Sequence, residues 1–208
     1  MLQFVCDTSE MLTDRLFWIG LAAMVLNCIG YYPYIRSIIK GQVKPQRVSW
    51  GLWTILVGIA FVNQVVNDGG YSSFFIGSTF LLVVTVFVLS IKKGMGGSGR
   101  LDRASLAAAI LLFVGWATTR ETRMSTILVV LIDGAGAAPT AYKAYVHPET
   151  EAYLQWITSG IAALISLAAI NTHDYILWLY PLYVAIANGI IVAAKYFGTL
   201  RLPSPAKA

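Results

Sequence analysis

Long apolar runs separated by short polar breaks make up almost the whole chain. Seven runs approach membrane length, at about 16–39, 48–66, 71–91, 104–119, 125–146, 152–170 and 174–197, against the ~20 residues with which a helix crosses the hydrocarbon layer. The runs are continuously apolar and do not alternate, so the pattern predicts helices. In lipid only internally bonded helices or closed barrels satisfy the backbone, and a barrel strand would show a period of two. The breaks are short, Lys93 to Asp102 being the clearest, and leave room for one membrane domain and no soluble module. The first run follows acidic residues and lacks a basic leader and a small-residue cleavage site, so it is expected to be a retained helix and not a signal peptide.

Polar residues interrupt these runs in a pattern that occurs twice. Asn27 is followed six positions later by Pro33, and Asp133 six positions later by Pro139; a glycine stands three positions after each polar residue, at Gly30 and Gly136. Beyond the next break Pro45 precedes Trp53 by eight residues and Pro148 precedes Trp156 by eight, and Gly58-Ile59-Ala60 echoes Gly160-Ile161-Ala162 with a shift of one. Two units of three helices follow, about 16–91 and 125–197, with the run at about 104–119 as a connector. An odd connector restores the direction of the second triplet, so the units are expected to be parallel repeats related by an axis along the membrane normal.

Composition agrees: 57% of the 208 residues are hydrophobic, 12% are charged, and the mean hydropathy is +0.68, too apolar for a surface kept in water. The net charge of +5 is distributed unevenly. With the N-terminus outside, Arg36, Lys40, Lys44, Arg47, Lys92, Lys93, Arg100, Arg103, Lys143, Lys195, Arg201 and Lys207 fall on the cytoplasmic side, and only Arg15, Arg120 and Arg123 on the other. That bias predicts an outer N-terminus and a cytoplasmic C-terminus. It reads as a topology signal, with no part for nucleic acid.

Asp133 is the sharpest candidate. A carboxyl at bilayer depth costs at least ~2.5–3.5 kcal/mol and normally faces a bundle interior or a wet cavity. It is a candidate for proton coupling and substrate binding, against the plainer reading of a neutral bridge between helices. Its repeat mate Asn27 could complete the same site or tie helices together. Trp53 and Trp156, a turn or more inside their runs, could stack on a planar solute from two sides. Trp18, Trp50, Trp116 and Trp178 read as interfacial anchors. Pro33, Pro139 and Pro181 are candidate hinges, because proline inside a helix removes a hydrogen bond and crowds the preceding turn. Asn63 and Gln64 are further candidates for the pathway.

Other chemistry is not expected. Cys6 and Cys28 are too far apart in depth for a bridge. His147 and His173 lie at opposite segment ends without ligand-spaced partners, so no metal is expected, and no cofactor is called for. The run Gly94 to Gly99 follows an apolar segment instead of a strand, and is expected to be a flexible linker and not a dinucleotide loop. Lys195 is read as snorkelling from the basic end of the last run, not as a retinal lysine. Gly134 to Ala138 suits a close helix contact. No set of Ser, His and Asp or of Cys and His falls at one depth, which argues against an intramembrane enzyme.

Pro33-Tyr34-Ile35, the basic loop, Ser49, Trp50 and Trp53, on this plan of three, one and three helices, resemble the PQ-loop and SWEET superfamily of small-solute carriers. In that family a Pro-Gln pair ends the first helix of each repeat and a serine follows about sixteen residues later, a spacing that the resemblance implies. Pro33 and Ser49 match; the glutamine position is Tyr34 in the first half and Thr140 in the second, and Pro45-Gln46 falls at the loop exit, outside the motif. The resemblance implies an all-α membrane fold with a central pocket lined by aromatic residues of the second and sixth helices and by asparagines of the third and seventh. Asn188 matches in the seventh; the third offers Ser78 and Thr79. The expectation is a carrier that moves a small polar solute, a sugar or other metabolite, by rocking two bundles, as a monomer or homo-oligomer in the lipid bilayer. The alternative is a non-transporting receptor that recruits a partner on Arg36, Lys40, Lys44 and Arg47.

Overall fold

A computed structural model describes residues 15–66, 72–119, 122–167 and 175–202. Cys6, Arg120, His173 and Lys207 lie outside the described residues, as do the side chains of Asn63, Gln64 and Arg123. Among the described residues there are seven α-helices: α1 (Arg15–Ile39), α2 (Arg47–Val66), α3 (Ser72–Lys93), α4 (Arg100–Thr118), α5 (Thr122–Val146), α6 (Leu154–Leu167) and α7 (Tyr175–Arg201). A single 3-10 turn, Pro148–Thr150, links α5 to α6. Each helix falls on one of the seven apolar runs. Pro33, Pro139 and Pro181 lie inside α1, α5 and α7, which continue past them.

Among the described residues four helical stretches are long and apolar enough to cross a membrane: Phe17–Ile39, Arg100–Thr118, Thr126–Val146 and Trp178–Arg201. Arg47–Ile59 and Leu154–Ile165 are apolar but shorter. The distribution of side chains is that of an integral membrane protein. Ile29, Leu81, Ile110, Leu111, Ile186 and Ile190 are more than half exposed, while Asn27, Ser49, Asp133, Thr140 and Gln155 are buried. Apolar groups outside and polar groups inside are what a hydrocarbon solvent selects.

The helices pack as two similar groups. In the first, α3 contacts both α1 and α2; in the second, α7 contacts both α5 and α6; across the groups α1 packs on α6 and α2 on α5, and α4 rests chiefly against α5. Two glycines allow the crossings. A Cβ at Gly30 of α1 would collide with Thr158 Oγ1 of α6, and one at Gly136 of α5 would come within 3.2 Å of Trp53 Nε1 of α2. These are the glycines that follow Asn27 and Asp133 by three residues.

One end of the bundle is tied by polar contacts that the sequence reading did not foresee. The segment Gly94 to Gly99 is an ordered clasp, not a flexible linker. Met95 N–H donates to Pro45 O and Arg47 N–H to Met95 O (2.8 and 3.0 Å). Asp102 accepts from Gln46 Nε2 at 2.6 Å and from the backbone N–H groups of Gly97 and Gly99 at 2.7 and 3.1 Å. Gly96 and Gly97 have φ of 76° and 109°, which a side chain would resist. Gln46 of the Pro45-Gln46 pair is therefore a buried anchor. Arg47 caps the end of α3 by donating to Ser90 O and Gly96 O, both at 3.0 Å, and Lys93 caps α1 by donating to Ile39 O, both favourable at a helix C-terminus.

Two lysines counted as topology signals are buried at this end. Lys143 forms an ion pair with Glu151 and donates to Lys44 O at 2.8 Å. Lys195 does not snorkel: it is 9% exposed, donates to Pro148 O and stands 4.6 Å from the centre of the Tyr153 ring. The carbonyls and ring at the α5–α6 link give its ammonium a partner inside the protein, so it has no need of the interface.

Candidate functional site

A cavity of about 230 Å³ lies on the axis between the two groups. Six helices line it and α4 does not. Asn27 and Tyr31 come from α1, Trp50 and Trp53 from α2, Thr79 and Val83 from α3. Across from them stand Asp133 and Ala137 of α5, Gln155, Trp156 and Ser159 of α6, and a stripe on α7 that includes Tyr180, Val184 and Asn188. Spacings of three and four residues within each helix put these side chains on one face.

Asp133 is held by three donors. Its Oδ1 accepts from Trp53 Nε1 at 2.9 Å and from the Tyr183 hydroxyl at 3.1 Å; its Oδ2 accepts from the Tyr180 hydroxyl at 2.9 Å. Trp53 reaches it from α2, and the tyrosines from α7. It takes part in neither of the ion pairs among the described residues. The opposite wall carries a neutral chain: Gln155 Nε2 donates to Ser159 Oγ at 3.0 Å, Ser159 Oγ donates to Asn27 Oδ1 at 2.9 Å, and Asn27 Nδ2 donates to Thr79 Oγ1 at 3.4 Å. The repeat mates Asn27 and Asp133 thus stand on two sides of one cavity with different polar surroundings.

Aromatic rings close the cavity toward the tied end. Trp50 packs against Trp53, Trp156, Tyr31 and Tyr34, with ring centres 5.2 to 6.0 Å apart. Trp53 and Trp156 are 5.8 Å apart. Trp50 is 1% exposed, which corrects its reading as an interfacial anchor: three residues from Trp53 on one helix, it shares the inward face. Trp18 and Trp178 are about half exposed, at 49% and 46%, as anchors would be. Trp156 Nε1 is buried without a hydrogen-bond partner among the described residues.

Of the residues singled out in the sequence, Asn27, Trp53, Asp133, Trp156 and Asn188 all line the cavity, and so does the hinge candidate Pro181. Asn188 uses its amide to donate to Val184 O at 2.8 Å. Ser78 does not line the cavity; its neighbour Thr79 does, since adjacent residues lie ~100° apart around a helix of 3.6 residues per turn. Pro139 is fully buried against its neighbours, while Pro33 is half-buried. The tyrosines of α7 and the chain through Ser159 and Gln155 were missed. The signal for Tyr180 and Tyr183 was their place beside Pro181, on the helix that also carries Asn188.

Comparison with protein-family models, with curated proteins and with solved structures finds no match to this chain.

Proposed function

We propose that the chain is a seven-span membrane carrier built on two three-helix repeats in the manner of the SWEET and PQ-loop proteins, with its N-terminus outside, and that it moves a small polar solute through the central cavity by alternating access. The single observation that carries this reading is the cavity itself. It lies on the axis between the groups α1–α3 and α5–α7, is lined from all six helices, and has at its wall the one carboxyl group buried at mid-helix among the described residues. A binding site between repeats, near the middle of the membrane, is where such carriers place their substrates. The paired glycine crossings at Gly30 and Gly136 support the repeat.

In this reading Asp133 is the coupling residue: gaining or losing a proton changes the charge facing the solute and the strength of its bonds to Trp53, Tyr180 and Tyr183. Pro33, Pro139 and Pro181 are the points at which the helices flex. Asn27, Trp53, Trp156 and Asn188 contact the solute. The receptor reading has less in its favour, because Arg47 is committed to capping α3 and only Arg36, Lys40 and Lys44 remain for a partner.

The test is uptake into proteoliposomes by the purified protein, with and without a pH gradient. Saturable uptake of one solute class that loses its pH-gradient dependence in Asp133→Asn is the expected result. Absence of uptake for every class offered would remove the carrier reading.

A further inference from the structure

The carrier reading leaves the solute open, and the chemistry of the cavity narrows it. Three features matter. First, the lining contains one ionisable carboxyl, Asp133, and no Lys, Arg or His, so when ionised it gives the cavity a formal charge of −1 with no counter-charge among the described residues. Its three donors, Trp53, Tyr180 and Tyr183, are neutral. They use three of about four lone-pair positions on a carboxylate and do not offset its charge.

Second, five aromatic side chains, Tyr31, Trp50, Trp53, Trp156 and Tyr180, share the lining with that carboxyl. Rings beside a negative charge attract a soft, weakly hydrated cation through the ring quadrupole, which is how organic ammonium groups are recognised elsewhere. Third, the far wall offers neutral polar groups, the Asn27–Ser159–Gln155 chain.

Other solute classes fit less well. An anion meets the carboxylate and no cation. A transition-metal ion needs several side-chain ligands, and no group of three His, Cys, Asp or Glu suited to a metal occurs among the described residues. A neutral polyol leaves the charge unanswered and presents hydroxyls to a wall that is largely aromatic and aliphatic. Size is also informative: a volume of about 230 Å³ lies below the ~300–1,000 Å³ usual for small-molecule pockets, which suits a compact molecule.

We infer that the cavity takes a compact organic cation, a protonated or quaternary nitrogen on a body carrying a hydroxyl or carbonyl, with the positive nitrogen beside Asp133 among the Trp and Tyr rings and the oxygen toward the Asn27–Ser159–Gln155 wall. This rests on the carrier reading and gives its solute a class.

The experiment compares charged and uncharged twins on the full-length protein in lipid nanodiscs, by thermal shift and by tryptophan fluorescence. The probes are choline, its carbon isostere 3,3-dimethylbutan-1-ol, tetramethylammonium, N-methylpyridinium and glucose. The expected result is binding of at least one of the cations at least tenfold more tightly than either neutral probe, with choline favoured over its isostere by that factor. Asp133→Asn, if folded, should remove the preference and leave the melting temperature without solute within a few degrees. Should Asp133→Asn fail to fold, the twin comparison in the parent protein decides alone. Equal binding of choline and its isostere, tighter binding of glucose, or an unchanged cation preference in a folded Asp133→Asn protein would each overturn the inference, while saturable uptake of a neutral solute left the carrier reading standing. If none of these probes binds and no solute of any class is taken up, both fall.

Discussion

Glu151→Gln tests what holds the tied end together. The Glu151 carboxylate is 0% exposed and the Lys143 ammonium 4% exposed; the two form an ion pair, and Lys143 also reaches Lys44 O at 2.8 Å and Thr150 O at 3.4 Å. Removing one partner of a buried pair leaves the other charge uncompensated and costs ~3–5 kcal/mol. Glutamine keeps the shape and an amide oxygen, and two carbonyls still face Lys143, so the cost falls near the lower end, ~3 kcal/mol. For a chain of about this length each kcal/mol moves the melting temperature by roughly 2–4 °C, so a drop of ~6–12 °C is expected. Lys143→Met should cost more. It strands a carboxylate whose other hydrogen bond is to Ala152 N–H at 3.1 Å. The double variant should then be more stable than Lys143→Met alone, because neither member of the pair is left buried without the other. The assay is thermal unfolding in one detergent, followed by tryptophan fluorescence from the nearby aromatic layer. A Glu151→Gln shift below about 2 °C, or a double variant whose loss equals the sum of the two singles, would refute the reasoning.

The helix crossings and the clasp give further tests. Gly30→Ala places a methyl group on Thr158 Oγ1, which is fixed by its bond to Leu154 O at 2.8 Å; a loss of ~1–3 kcal/mol is expected, largely recovered by adding Thr158→Ala, and chemical unfolding reads both. Gly96→Ala and Gly41→Ala share a positive φ of 76° and 74°, but only at Gly96 does a Cβ meet Gln46. Gly41→Ala should therefore cost the backbone term alone, ~1–2 kcal/mol, and Gly96→Ala measurably more by the same unfolding assay. Asp102→Asn turns an NH₂ group toward the N–H groups of Gly97 and Gly99 or toward Gln46 Nε2, with an expected loss of ~1–3 kcal/mol. Trp53→Phe keeps a ring but removes the donor to Asp133 Oδ1, and uptake should fall at least fivefold while the melting temperature moves by only a few degrees.

The elements were legible because a lipid solvent writes them plainly: a helix that faces hydrocarbon must be apolar along its length, and the run from about 125 to 146 became α5, Thr122–Val146. Asp133 and Asn27 were legible for the converse reason, as polar residues stand out in such runs, and their shared spacing to Pro139 and Pro33 tied them to one site. Trp50 was misread because a tryptophan near a run's end looks the same whether it faces lipid or protein; the i, i+3 relation to Trp53 was the available clue. The Lys143–Glu151 pair and the clasp of Asp102 on Gln46 were illegible. In each the partners lie on different segments, and nothing local says that a lysine near a helix end turns inward instead of toward headgroups. Gly94 to Gly99 resembled a flexible linker because glycine supplies both flexibility and the positive φ of an ordered turn, and only the acceptor at Asp102 decides between them.

Polar contacts that span the two groups occur on two levels, with the aromatic layer between. At the cavity Trp53 donates to Asp133 and Ser159 to Asn27; toward the tied end Thr140 Oγ1 donates to Ser49 Oγ at 2.7 Å, with both residues fully buried, and Lys143 reaches Lys44 O. A rigid-body motion that parts α2 from α5 along their length breaks the Trp53–Asp133 bond and the Thr140–Ser49 bond together, since both cross that one contact. A solute that competes with Trp53 for Asp133 removes one of the two and lowers what the parting costs; a solute that binds elsewhere in the cavity leaves both in place. On the carrier reading this links occupancy to opening without any distant relay, because the group that recognises the solute is also one of the bonds that hold the end closed.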